Sequence, residues 1–233
     1  MTKTKIFNFL LIVVCLFSLT SCAKKINKFE EFKEAMNKEY DSVTYKMEMV
    51  MELKMGSESE RETTDITVKT DGTKTLFEGK LYGDEGKAYA ELEGDKYKAW
   101  TYDDGAWEAD DYISKEQYES SISYPTIEVE EGDFEYKNGV WVANIDKIKE
   151  KLKAAVTDEL KKILGSVGIS YTIDIDKYTI KFDKDNIDEI ELDFSIIMSQ
   201  SGRTIEFNFS YTIKFSDHNN TKVERPEGLP EIK

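Results

Sequence analysis

Four of the seven methionines stand at odd positions of one stretch, VTYKMEMVMELKM, residues 43–55. An extended chain puts Met47, Met49, Met51 and Met55 on one face with Val43, Tyr45 and Leu53. Thioethers spaced about 7 Å along a strand could converge on Cu(I), a soft ion that accepts sulfur ligands. No cysteine or histidine lies nearby to strengthen such a site. The same side chains fill irregular gaps in a core, or make a flexible surface facing lipid. Other chemistry finds little support. His218 is the only histidine, follows Asp217, has no cysteine partner, and is expected in an exposed loop. No G-x-S-x-G is present, and one histidine with two cysteines excludes the usual zinc sites. The run Asp183 to Glu189 begins like a calcium loop, but Ile187, Asp188 and Phe194 occupy positions that need a ligand, a glycine and a glutamate. A solvated hairpin turn is expected there. The adjacent pairs Asp103-Asp104 and Asp110-Asp111 are badly placed for two carboxylates that must stand several ångströms apart. We therefore expect no enzyme and no cofactor.

The elements that would position these residues alternate between two periods. Residues 27–40 read as a helix, with Asn27 and Glu30 as a capping pair and Phe29, Phe32, Met36 and Tyr40 on one stripe. Strands are expected at 43–55, 60–70, 73–82, 86–93 and 96–102, separated by Asp71-Gly72, Gly83 to Gly86 and Gly94-Asp95. A short strand around Trp107 leads to a capping box at Ser114 and Gln117, with Ile113 and Tyr118 as its staple, and a helix over 114–122. The hairpin FEYKNGVWVAN turns at Asn138-Gly139. A long helix follows, its stripe running through Ile145, Ile148, Leu152, Ala155, Val156, Leu160, Ile163 and Leu164 to a stop at Gly165. Three closing strands remain. Tyr178, Ile180 and Phe182 share a face, as do the even positions from Ile190 to Met198 and the odd positions from Ile205 to Phe215, which include Phe207, Phe209 and Tyr211. Sheets with one apolar and one polar side are antiparallel and covered on a single face. The fold class is α+β, with about eleven strands.

The N-terminus carries a different signal. Lys3 and Lys5 precede a mostly apolar run, Ile6 to Leu19, which suits a signal peptide and is too short for a spanning helix, which needs roughly 20 residues. It ends in Leu19-Thr20-Ser21-Cys22, which resembles the bacterial lipobox. That resemblance implies cleavage after Ser21 and lipidation of Cys22. Two or more acyl chains anchor a protein stably where one is marginal. The chain then divides into a signal peptide at 1–21, a lipidated tether at 22–28 and one domain at 29–233. The expected location is the cell membrane, lipid-anchored on its extracytoplasmic face. Losing Lys3 and Lys5 takes the formal net charge from −15 to −17, against the basic footprint that nucleic acid requires. Lys24, Lys25 and Lys28 could sit among anionic headgroups beside the anchor, or belong to a solvated linker.

One helix, a meander, inserted helices and long closing strands together resemble the LolA/LppX-type lipoprotein superfamily over residues 27–216. The resemblance implies a large curved antiparallel sheet, an open half-barrel with helices covering its concave face. It also implies a cavity for acyl chains, whose walls would include Met47, Met49, Met51, Met55, Phe207, Phe209 and Tyr211. Flexible, polarizable side chains suit a ligand that has no fixed shape. Three functions follow: a membrane-anchored lipoprotein binding lipid or another hydrophobic ligand, a scaffold or interaction lipoprotein with a filled core, and a methionine-rich Cu(I) binder.

Overall fold

The computed structural model describes residues 29–36, 38, 40–81, 84–110, 112–114, 129–164, 170–183, 186–200 and 203–231. Helix α1 spans Phe29–Met36. Seven strands follow: β1 Val43–Met55, β2 Glu58–Thr70, β3 Lys74–Leu81, β4 Asp84–Glu93, β5 Lys96–Asp103, β6 Ala106–Ala109 and β7 Ile113–Ser114. The hairpin β8 Phe134–Lys137 and β9 Val140–Ala143 leads into α2, Ile145–Leu164, and the chain closes with β10 Ser170–Asp183, β11 Asn186–Gln200 and β12 Arg203–Ser216. These strands form one open sheet of 12 strands in the order β6-β5-β4-β3-β2-β1-β12-β11-β10-β9-β8, with β7 paired to β5 off that path. Every pairing among the described residues is antiparallel, and β1 joins the two halves by pairing with β2 on one side and β12 on the other.

Local chemistry explains much of this layout. At the turn between β8 and β9, Asn138 and Gly139 have φ of 52° and 91°, the pair of positive values that a two-residue hairpin turn demands. In the turn before β3, Asp71 accepts hydrogen bonds from the amides of Thr73 and Lys74 at 3.2 and 2.9 Å. Burial pushes its carboxyl up, but the hydrogen bond from the Thr73 hydroxyl at 2.9 Å, together with those amides, holds it below the usual range. Gly79 sits inside β3 with φ of 148°, and a Cβ there would lie 2.1 Å from the carbonyl oxygen of Asp65. Only glycine permits that approach, and it faces Gly86 across the next pair. Glycines so placed bend a sheet.

The main core lies on one face of β1, β2 and β8 to β12, and Phe32, Ala35 and Met36 of α1 and Ile148 of α2 belong to it. Phe32 of α1 stacks on Trp141 with centroids 4.2 Å apart and meets Phe134 at 5.1 Å. Ile148 of α2 is fully buried in the same cluster. Asp133, almost fully buried, accepts from the amide of Glu130 at 2.7 Å and from Lys151 at 2.9 Å, while Lys149 pairs with Asp174. These contacts tie α2 to the β8–β9 hairpin and to β10.

Several expectations are corrected. The first helix ends at Met36, four residues before Tyr40, which packs on the core from the connection to β1. Ser114 pairs with Lys96 as part of β7; Gln117, Tyr118 and the expected helix beyond Ser114 lie outside the described residues. So do Asn27 and Gly165. The sheet is not polar throughout on its second face. Tyr89 and Trp100 are buried there with Val223 and pack against Leu76, Trp107 and Leu229. The covering is the segment after β12, which crosses β3 to β5. Trp100 donates to the carbonyl of Pro230 at 2.9 Å, Arg225 lies 3.4 Å from Glu91, and the amide of Val223 donates to Asp71 at 3.3 Å. His218 is half-buried, its ring 4.5 Å from Tyr40 and 6.4 Å from Phe215. It is not a fully exposed loop residue.

Candidate hydrophobic-ligand face

Antiparallel register lines up the methionine face with its neighbours row by row. Met47 stands opposite Ile213 and Ile66, Met49 opposite Tyr211 and Thr64, Met51 opposite Phe209 and Glu62, and Leu53 opposite Phe207 and Glu60. Beyond β12 the rows continue through Leu192, Phe194, Ile196 and Met198 of β11. The aromatic members of the face run nearly parallel. Phe194 lies 4.9 Å from Phe209 and 5.8 Å from Tyr211, and Phe207 lies 6.3 Å from Phe209, all stacked.

Burial changes steadily along β1. Met47 and Met49 are 0 % and 2 % exposed. Met51 and Leu53 are half-buried, and Met55 is 47 % exposed. The partner strand repeats the gradient, with Tyr211 and Phe209 buried but Phe207 and Ile205 half-buried. The apolar face is therefore closed at the Met47–Met49 end and grows more exposed toward the β1–β2 turn, with Met51 and Phe207 half-buried at the edge of the core. Of the seven side chains expected to face ligand, Met47, Met49, Phe209 and Tyr211 lie in the closed half. Met51, Phe207 and Met55 lie in the open one. Leu53, Ile205, Met198 and Tyr171 join them there, which alternation alone did not single out; the cross-strand register places them. Cys22 and the tether lie outside the described residues.

The chemistry of the face is apolar up to β2. There it changes, because Thr64 and then Glu62, Glu60 and Glu58 follow on the same side of that strand. Thr64 is buried, and its hydroxyl has no hydrogen-bond partner among the described residues. On the opposite side of β1 and β12, Lys54 pairs with Glu52 and Glu206, each at 3.4 Å, and Lys46 with Asp65 at 3.2 Å, an ordinary solvated pattern. Burial pushes the phenol of Tyr178 well above its ordinary value, so it stays neutral within the core. The side chains of Met47 and Met49 lie inside the core while Met51 is half-buried at its edge, so the three do not share one environment. Among the described residues no group of three or more His, Cys, Asp and Glu side chains could hold a metal ion.

No family model and no curated protein sequence matches the chain. Among solved structures it is similar to a domain assigned to outer membrane lipoprotein sorting from Vibrio parahaemolyticus, at 13% identity and TM-score 0.25, over 74% of this chain and 85% of that one. It is also similar to a DUF1329 family protein from Desulfovibrio piger, at 10% identity and TM-score 0.25, over 81% and 88% of the two chains. Likeness at that level has no bearing on the face described above.

Proposed function

We propose that the chain is a non-enzymatic lipoprotein, anchored through Cys22 on the extracytoplasmic face of the cell membrane, that binds a lipid or another hydrophobic chain. In this reading the sheet is a half-barrel with the helices over its concave face, and the ligand lies on the open half of the apolar face, over Met51, Leu53 and Phe207. The observation that carries it is the burial gradient: the apolar stripe continues from buried Met49 through half-buried Met51 and Leu53 to exposed Met55. Water in contact with that surface is unfavourable by ~25 cal/mol per Å², and a hydrophobic chain laid over it removes the contact. The anchor reading is supported by Leu19-Thr20-Ser21-Cys22 after an apolar run.

A second reading, a scaffold lipoprotein with a filled core, draws on the complete burial of Met47, Met49 and Tyr211. Lipid extraction separates the two. The full chain carrying Cys22→Ser, purified without detergent and extracted with organic solvent, should release a hydrophobic molecule detectable by mass spectrometry. Met51→Glu should abolish that release while the chain stays folded. A wild-type chain that never yields bound lipid, whatever membrane extract it is incubated with, leaves the scaffold reading. Cu(I) titration of the same protein and of Met49→Leu with Met51→Leu tests the metal reading, which needs an affinity that the leucines remove.

A further inference from the structure

The second face of the sheet carries a surface that the chain covers with its own C-terminal segment. Tyr89 and Trp100 are each 1 % exposed, with Val223 buried in the same cluster and Leu229 packed against it. Two parts of that segment are held very differently. Near its root, Asn219 donates its amide to the carbonyl of Ser42 at 2.7 Å, its side chain accepts from the amide of Asp41 at 2.9 Å, and Thr221 donates its amide to the Ser42 hydroxyl at 3.1 Å. Beyond Thr221 the grip changes. From Lys222 to Glu231 no backbone-to-backbone hydrogen bond is made among the described residues. The Val223 amide donates to Asp71 at 3.3 Å and the Trp100 indole to the Pro230 carbonyl at 2.9 Å. Arg225 lies 3.4 Å from Glu91 and 5.7 Å from the centre of the Trp100 ring. Arg225 is itself exposed, and Pro226, Leu229 and Pro230 are half-buried. Segments held by a few exposed contacts open locally at lower cost than the sheet beneath them.

We propose that Tyr89, Trp100 and Glu91 form a peptide-binding site. Residues 223–231 close it as a resident ligand and yield it to an extended segment of a partner polypeptide that carries arginine followed by proline. The seated segment defines the chemistry. The indole N–H takes a backbone carbonyl, the Glu91 carboxylate and the Trp100 ring take a guanidinium, and the two aromatic side chains take aliphatic groups such as Val223 and Leu229. Glu91 is oriented for this, because it also accepts from the Tyr89 hydroxyl at 2.9 Å. Proline lacks an amide donor and has a fixed φ, so a segment of this kind loses little freedom on docking and brings fewer donors that need partners.

The test uses the full chain with Cys22→Ser and a fluorophore-labelled peptide, VERPEGLPEIK, the sequence of residues 223–233, followed by fluorescence anisotropy. A second full chain adds Arg225→Ala and Leu229→Ser, which loosen the resident segment while Tyr89, Trp100 and Glu91 stay unchanged; a melting curve checks that it is folded. The loosened chain should bind the peptide at least tenfold more tightly than the parent, because the competing closed state is less populated. Peptide carrying Arg225→Ala should bind the loosened chain about fivefold more weakly, the loss expected from one exposed ion pair and its ring contact. Glu91→Gln in the loosened chain should shrink that difference to about twofold or less. Equal affinity of the parent and loosened chains, or a peptide arginine that makes no difference, overturns the proposal. The parent chain alone supplies a second measurement. By NMR, the Trp100 indole proton should be at least tenfold less protected from solvent exchange than the paired amides of β4 and β5. Equal protection means that the segment opens only when the sheet does, and overturns the proposal even if the loosened chain does not fold. Parent dimers that the peptide dissociates, seen by sedimentation, give the site to a second copy of this chain and overturn the separate partner.

Discussion

Replacing Met49 by alanine removes a side chain that is 2 % exposed between Tyr211 and Thr64, and so leaves a cavity that the flanking strands cannot close without breaking register. Such truncations cost about 2–5 kcal/mol. For a chain of this size each kcal/mol lowers the melting temperature by roughly 2–4 °C, so Met49→Ala should melt at least 4 °C below the parent. Met51→Ala starts from a half-buried side chain and should lose about half as much. Met55, at 47 % exposure, should stay within roughly 0.5 kcal/mol. Glutamate sharpens the same series. At position 49 a carboxylate has no water, and a penalty of several kcal/mol consumes most of a stability of about 5–15 kcal/mol. At position 51 the open half of the face admits solvent, and the chain should remain folded. Leucine at either position conserves volume and should cost under ~1.5 kcal/mol. Thermal and urea melts of the seven variants, followed by circular dichroism, measure the gradient. If Met49→Ala is no more harmful than Met55→Ala, or if Met51→Glu unfolds as readily as Met49→Glu, the division of this face into closed and open halves is wrong.

Three further outcomes are expected. Gly79→Ala should destabilise far more than Gly56→Ala, since an added Cβ meets the carbonyl oxygen of Asp65 at 2.1 Å in the first case and nothing within 4 Å in the second; paired melting curves decide it. Burial holds the imidazole of His218 below its ordinary value of 6.5, so the unfolded chain binds the proton more tightly than the folded one. Its contribution is then intact above pH 6.5 and lost as pH falls from 6.5 through the lower folded value, with Lys38, Asp217 and Asp188 modulating the titration. His218→Gln should flatten that part of a stability-against-pH curve, and an unchanged slope would contradict it. Cys22→Ala should release the chain from the membrane fraction, and a variant still pelleting with membranes at high salt would refute the anchor.

The strands were legible wherever one face is buried and the other wet. Val43–Met55 is bounded to the residue by its alternation, and Asn138-Gly139 marks its turn because few other residues accept two positive φ values. Where the period slips, the sequence misleads. In β10 the buried residues pass from Ile173 and Ile175 to Tyr178 and Ile180, because a bulge between Ile175 and Lys177 shifts the register, so only the second half reads as a strand. The segment from Asp217 to Glu231 has no period of its own. It is held by scattered contacts such as Thr221 to Ser42 and Trp100 to Pro230, and nothing in Tyr89 or Trp100 announces that a later stretch will cover them. The half-burial of His218 likewise depends on Tyr40, which lies far away in sequence. At the candidate site the methionines and aromatics were legible as one face. Which of them are closed in and which are open depends on packing from distant parts of the chain, and that alternation cannot express. The glutamate border was invisible for a related reason: Glu58, Glu60 and Glu62 join the apolar face only through the pairing of β2 with β1.

Photo-crosslinking with a diazirine-bearing long-chain alcohol, followed by peptide mapping on the full chain with Cys22→Ser, tests the central claim most directly. Label is predicted on the more exposed half of the face, at Met51, Leu53, Phe207 and Met198, competed by unlabelled dodecanol and lost in Met51→Glu. Label confined to the opposite side of the sheet, around Trp100 and Val223, or labelling that no competitor reduces, would contradict it.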